Sequence, residues 1–233
     1  PLCLSLKDAL EIKKLSSEVN KIVFVGHLLH YHNGFNELKK TIKLGKIGDL
    51  KIIKANRLNF GAIRQKESVL FDLASHDISM ILSITEVMPK KVEVNAIFNN
   101  SKKIADYINV LLYFKNDLTA VINSDWISPY KEHRFSVLGS KGSLIFDDTK
   151  DWPNKLMINP SYINKEKEII YKPEKAISVL NEEPLKKEIE TFLQCVQNNH
   201  KPLTDIDEAI NVQVVLDMIA VSYTHLTLPT TSS

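Results

Sequence analysis

The sequence predicts an α/β protein in which a short helix–strand–helix unit leads into a large, open, mostly antiparallel sheet. Two patterns carry that expectation. Helical periodicity is confined to the beginning, one middle segment and the end of the chain, and between residues 90 and 148 five strand-like runs follow one another, parted by Asn, Asp, Gly and Pro. The 233 residues are 44% hydrophobic and 25% charged, enough apolar material for a core and too polar a chain for a membrane-embedded one.

Residues 4–19 place Leu6, Ala9, Leu10 and Leu15 near helical spacing, with Ser5 as N-cap and Asp8 in the first turn. Residues 22–25 form a short continuous apolar run closed by Gly26, which reads as a strand buried on both faces, as in a parallel sheet. Phe35, Leu38 and Ile42 mark a helix over residues 33–44 that stops at Gly45. At Gly48 the period changes, and a second domain is drawn from there. DLKIIKANRLNF alternates as a strand, a loop with Gly61 follows, and residues 70–84 return to helical period. KKVEVNAIF, DYINVLLYF, LTAVINSDWI, EHRFSVLG and GSLIFDD supply the sheet, NKLMI and KEIIYK read as edge strands, and two helices close the chain over PLKKEIETFLQCVQNN and DIDEAINVQVVLDMIA.

Composition excludes several functions. A net charge of +2 is too balanced for a chain that wraps a polyanion. Cys3 and Cys195 stand far apart with no metal-binding spacing around them, which disfavours a disulfide framework and a structural zinc site. None of the seven glycines falls in a phosphate-cradling G-x-G-x-x-G or P-loop motif. Against 27 lysines there are three arginines, Arg57, Arg64 and Arg134, each a candidate for work that needs a planar fork.

The ends read as foreign to the fold. The chain opens at Pro1 without Met, which reads as a truncation. Its last thirteen residues, VSYTHLTLPTTSS, lose the Lys, Asn and Ile of the preceding sequence and match the translation of a transposon-end sequencing adapter. Residues 221–233 are therefore set aside as non-native read-through, the alternative being a Ser/Thr-rich tail.

Asp72 and His76 stand four apart on the middle helix, a spacing that would let the carboxylate orient the imidazole for acid/base work. The plain alternative is a surface ion pair, and Asp77 reads as a cap or an exposed charge. His27, His30 and His32 cluster in GHLLHYH, but no H-E-x-x-H or nearby Cys completes a metal set, so no metal is expected and the histidines read as pocket-lining or hydrogen-bonded. Arg57 and Arg64, in NRLNFGAIR just before the Asp72/His76 helix, suggest an anionic substrate, with surface salt bridging as the alternative.

In order and spacing, PLCLSLKDALEI, GHLLHYHNGFNELKKTIKLGKIGDL, NRLNFGAIR, DLASHDI and HRFSVLGSKGSLIFDD resemble the Gfo/Idh/MocA oxidoreductases over residues 1–220. GHLLHYH and RLN-x-G-x-IR resemble the branch that oxidises nucleotide-linked amino sugars, such as UDP-N-acetylglucosamine 3-dehydrogenases. The resemblance implies that residues 1–47 are the C-terminal remnant of a Rossmann domain binding NAD or NADP. Residues 48–220 then form an α/β substrate and oligomerisation domain with the open sheet. It implies His76 and Asp72 as catalytic residues, and a catalytic lysine that would directly precede Pro1. Tyr31, Arg57, Asn59 and Arg64 become the substrate-side candidates, with Pro1 and His27 beside the cofactor. It further implies a cytoplasmic homodimer or homotetramer joined through the sheet. Without fingerprint and lysine, the fragment itself is expected to be inactive. A binding or scaffold member of the same fold is the alternative.

Overall fold

Ser5 starts the first helix where its position predicts: its hydroxyl accepts the Asp8 N–H at 3.2 Å, and α1 spans Leu6–Glu18. The computed structural model describes residues 1–61, 63–101 and 104–226, with side chains described as far as residue 223.

The expected strand at residues 22–25 is not formed. A strand needs a ladder partner on at least one side, and this stretch is tied to another segment by the bond from Val25 N–H to the Thr204 carbonyl at 2.9 Å. It is an extended connector, followed by a 3₁₀ turn over Leu28–Tyr31. The His32 ring then caps α2 (Asn33–Lys43), its Nδ1 accepting from Gly34 N–H at 2.9 Å. Gly45 ends that helix region with φ of +68°, a conformation that favours glycine.

β1 (Leu50–Phe60) leads through a π-helical turn at Leu70–Ala74 into α3 (Ser75–Thr85). The sheet strands follow as β2 (Lys91–Ile97), β3 (Tyr107–Tyr113), β4 (Thr119–Asp125), β5 (Ile127–Gly139), β6 (Gly142–Asp147) and β7 (Leu156–Asn159). β8 (Tyr162–Ile163) and β9 (Ile169–Ile170) make a separate two-stranded ribbon, so the KEIIYK run does not join the main sheet. β10 (Lys175–Ala176), α4 (Pro184–Asn198) and α5 (Ile206–Leu226) complete the chain.

Eight strands form one mixed α/β sheet in the order β10-β7-β6-β5-β1-β4-β3-β2. β1 inserts between β4 and β5; its ladder with β4 is parallel, and the other described ladders of the sheet are antiparallel. The strand alternation read from sequence now has a direction. Ile53, Ala55, Val110, Leu112, Ile122, Phe135, Val137 and Phe146 share a buried core with Phe35 and Leu38 of α2, Ile78 and Ile81 of α3, and Val215 and Leu216 of α5. Thus α2, placed with the N-terminal unit by the sequence pattern, packs on the sheet. At the neighbouring alternate positions a polar rung crosses the strands. Asn109 donates to Asn123 at 2.7 Å, Asn123 to Asn56 at 2.9 Å, and Asn56 to Glu132 at 2.9 Å.

α5 continues through Leu226, and Tyr223 is buried against Phe98 with ring centroids 6.0 Å apart. The first six residues of the stretch set aside as read-through thus extend a helix, while residues 227–233 lie outside the described ones. Among the described residues no helix is long and apolar enough to cross a membrane.

Candidate active site

The turn that carries Asp72 is π-helical, so Asp72 and His76 are separated by a wider turn than the i,i+4 rule assumes. The consequence is a correction. Asp72 accepts from Trp126 Nε1 at 3.2 Å and pairs with Arg64 at 3.3 Å, and among the described residues no hydrogen bond joins it to His76. Asp72 does not orient the imidazole; it fastens the turn to the start of β5 through Trp126, whose ring is itself buried.

His76 instead faces His27, edge-on at 6.0 Å between centroids. Burial, reinforced by the positive charge of Arg57 and by His27, pushes the His76 pKa down to about 3 against an opposing pull from Asp77. The ring is therefore neutral at physiological pH and has a lone pair to offer.

Arg57 is not a free anion ligand either. Its Nε and Nη2 donate to Oδ2 and Oδ1 of Asp77 at 2.9 and 2.8 Å. Asp77, read from sequence as a cap or exposed charge, is buried, and it is the counter-ion that fixes Arg57 on β1 beneath α3. Tyr31 is likewise corrected: its ring stacks on Phe24 at 5.7 Å and its buried hydroxyl is bonded to Thr204 Oγ1 at 2.9 Å, so it packs the connector. Asn59 and Arg64 remain exposed, Asn59 on β1 beside Gly61 and Arg64 on the following loop against Asp72. Pro1 is exposed, but burial pulls its amine pKa down while Glu67, Asp72 and Glu208 pull it up, and its charge is felt at His76. Arg134 pairs with Asp147 at 3.3 Å.

The three histidines of GHLLHYH go to three different partners. His27 Nδ1 lies 2.7 Å from Glu208 Oε2, His30 Nε2 lies 2.6 Å from Ser79 Oγ, and His32 Nε2 lies 3.3 Å from Asp148. Ser79 donates to the other Glu208 oxygen at 2.5 Å, which joins His27 and His30 through one carboxylate. Among the described residues no group of three or more His, Cys, Asp or Glu is placed to hold a metal ion. Sequence reasoning missed Glu208. In DIDEAINV it reads as an ordinary first-turn acid of α5, and only the fold brings it to a histidine 181 positions away. The signal was available in reverse: buried histidines need partners, and the helix starts hold the spare carboxylates.

This geometry brings one neutral imidazole, one tethered arginine and a buried nitrogen without a partner among the described residues, His27 Nε2, into one cluster. Residues 35–145 match the family of GFO/IDH/MocA C-terminal domains. That stretch, a little under half of the chain, is similar to the GFO/IDH/MocA C-terminal domain. The match runs from Phe35 in α2 to Ile145 in β6 and so includes Arg57, Asp72, His76 and Asp77, whereas Glu208 comes from α5 beyond it.

An uncharacterised oxidoreductase of Streptococcus pneumoniae is 25% identical over 163 residues, 63% of this chain and 44% of the relative. The chain thus spans less than half the length of that relative. A UDP-N-acetylglucosamine 3-dehydrogenase of Acidithiobacillus ferrooxidans has a similar structure, with a TM-score of 0.77 and 18% identity over 94% of this chain and 67% of that one. An aldose-aldose oxidoreductase of Caulobacter crescentus gives 0.80 and 13% over 96% and 68%. At these identities the likeness establishes the fold, an α/β domain with a large, mostly antiparallel sheet.

Proposed function

We propose that this chain is part of a Gfo/Idh/MocA oxidoreductase that uses NAD or NADP to oxidise a sugar hydroxyl, with a nucleotide-linked amino sugar as substrate and position 3 as the site of reaction. The observation that carries the reading is His76, set edge-on against His27 within the matched stretch and held neutral by burial and by Arg57. Oxidising a secondary alcohol separates a hydride from a proton, and the residues described here supply the proton side. The substrate hydroxyl donates a hydrogen bond to the neutral His76 imidazole, which holds it in place for removal of its proton. The Arg57–Asp77 pair fixes the charge beside His76, and His27 Nε2 is left as an acceptor for a second hydroxyl when Nδ1–H is given to Glu208. Asn59 and Arg64, the exposed members of the predicted set, contact the polar end of the substrate.

The dinucleotide itself does not fit the residues present. Its phosphates need a Gly-rich turn at a helix N-terminus, and the seven glycines offer no such motif. The resemblance assigns that turn, and the catalytic lysine, to sequence preceding Pro1. We also assign the polar-rung face of the sheet to a homodimer or homotetramer contact, and the free Cys3 and Cys195 support a cytoplasmic setting.

The test is turnover by the complete gene product. UDP-N-acetylglucosamine, other nucleotide sugars and free aldoses are offered with NAD or NADP while reduced nicotinamide is monitored. Turnover of a nucleotide amino sugar supports the assignment, turnover of free aldoses alone moves the substrate class, and saturable sugar binding with no turnover leaves a binding protein.

A further inference from the structure

Behind the His27 site, on the other side of the Glu208 carboxylate, lies a cavity of about 550 Å³ between α2 and α3. Lys39, Lys40 and Lys43 line it from α2, Ser83 from α3 and Glu86 from the cap just after it, together with His30 and Glu208. The positive charges are only partly balanced. Lys40 pairs with Glu37 at 3.1 Å and Lys43 with Glu86 at 3.4 Å, and the Glu208 oxygens are taken by His27 and Ser79. Lys39 has no carboxylate within ion-pair distance among the described residues; its Nζ lies 5.0 Å from the Phe35 ring centroid, one turn from the like charge of Lys43. Burial and Lys43 both lower the Lys39 pKa, as expected of a cation that lacks its counter-ion.

His30 adds a second demand of a different kind. Ser79 gives its proton to Glu208, so it accepts from His30 Nε2–H, and a neutral His30 then has a bare lone pair at Nδ1. Burial keeps the ring neutral, with a pKa of about 4. Nδ1 is buried and has no partner, in a side chain only 3% exposed. A water molecule would satisfy Nδ1 but not Lys39, and a bare halide or fully ionised carboxylate would satisfy Lys39 but not Nδ1.

We propose that this cavity binds a small anion that also carries hydroxyl groups, a sugar phosphate or a sugar acid, with its charge on Lys39 and a hydroxyl donated to His30 Nδ1. The site is separate from the His76 cluster, and the proposal does not depend on the oxidoreductase reading. Calorimetric titration of the full chain with glucose 6-phosphate, gluconate, inorganic phosphate and glucose tests it. At least one of the two hydroxylated anions is expected to bind at one per chain, to weaken as salt is added, and to bind about tenfold more weakly to Lys39→Gln. The tighter of the two identifies the charged group. Lys39→Gln without ligand should melt close to the parent, because the lost contact with the Phe35 ring is offset by removal of an unpaired charge. Three results would each overturn the proposal: neither anion binds, glucose binds as tightly as its phosphate, or Lys39→Gln leaves the affinity unchanged.

Discussion

Arg57 holds Asp77 with two parallel hydrogen bonds of 2.9 and 2.8 Å while the two side chains are only 14% and 3% exposed. A pair this far from water is stable because each charge is the other's solvation, so removing one partner strands the other. Asp77→Asn or Arg57→Leu is expected to destabilise the fold by about 3–5 kcal/mol, and the Arg57→Leu/Asp77→Leu double variant by much less than the sum. Urea unfolding of the three variants measures this, and additive losses would contradict it.

Acid should weaken the protein through its buried histidines. His76 and His30 titrate at about 3 and about 4 in the fold, against an ordinary 6.5 in the unfolded chain. Between those values the unfolded state binds more protons, so stability falls as the pH drops from about 6.5 toward 4, and these groups contribute no slope above that window. Melting temperature against pH should show the decline, and His76→Gln should flatten it.

Glu208 is expected to matter although it lies outside the matched domain. Gln at this position keeps one acceptor oxygen for two donors, His27 Nδ1–H and Ser79 Oγ–H, which the carboxylate serves separately. Glu208→Gln should cost about 1–3 kcal/mol and Glu208→Ala more. Chemical denaturation with the imidazole proton resonances of His27 and His30 followed in parallel checks both the energy and its cause.

Two glycines should fail for different reasons. A Cβ on Gly139 would collide with the Ile47 carbonyl, whereas one on Gly45 would meet nothing within 4 Å and suffers only from φ of +68°. Gly139→Ala is expected to lose about 1–3 kcal/mol by forcing the backbone apart. Gly45→Ala should lose about 1–2 kcal/mol, the conformational penalty alone. Thermal melts of both, with a crystal structure of Gly139→Ala to locate the shift, decide the assignment.

The fold was legible wherever local pattern and tertiary context agree. Ser5 capped its helix, Gly45 ended another, and the alternation of β1 and β3 to β6 gave a sheet with one core face. It failed at residues 22–25, where four apolar residues look like a strand but no ladder stands beside them. The site was half legible. His76 lies against His27, a contact its motif does not display, and the i,i+4 rule sets Asp72 beside it only by presuming an α-turn where the chain makes a π-turn. Arg57 reads from sequence as an anion ligand, whereas the fold pairs it with Asp77, and Glu208 was invisible because its partner lies 181 residues away. Long-range pairing is what one sequence does not display.

The central claim is that His76, neutral and independent of Asp72, receives and positions the substrate hydroxyl. Under the proposed sugar-oxidation reading, kcat of the complete gene product should fall about 10²–10⁴-fold in His76→Ala and far less in Asp72→Asn, with binding of the sugar retained in both. Wild-type kcat in His76→Ala would contradict the account.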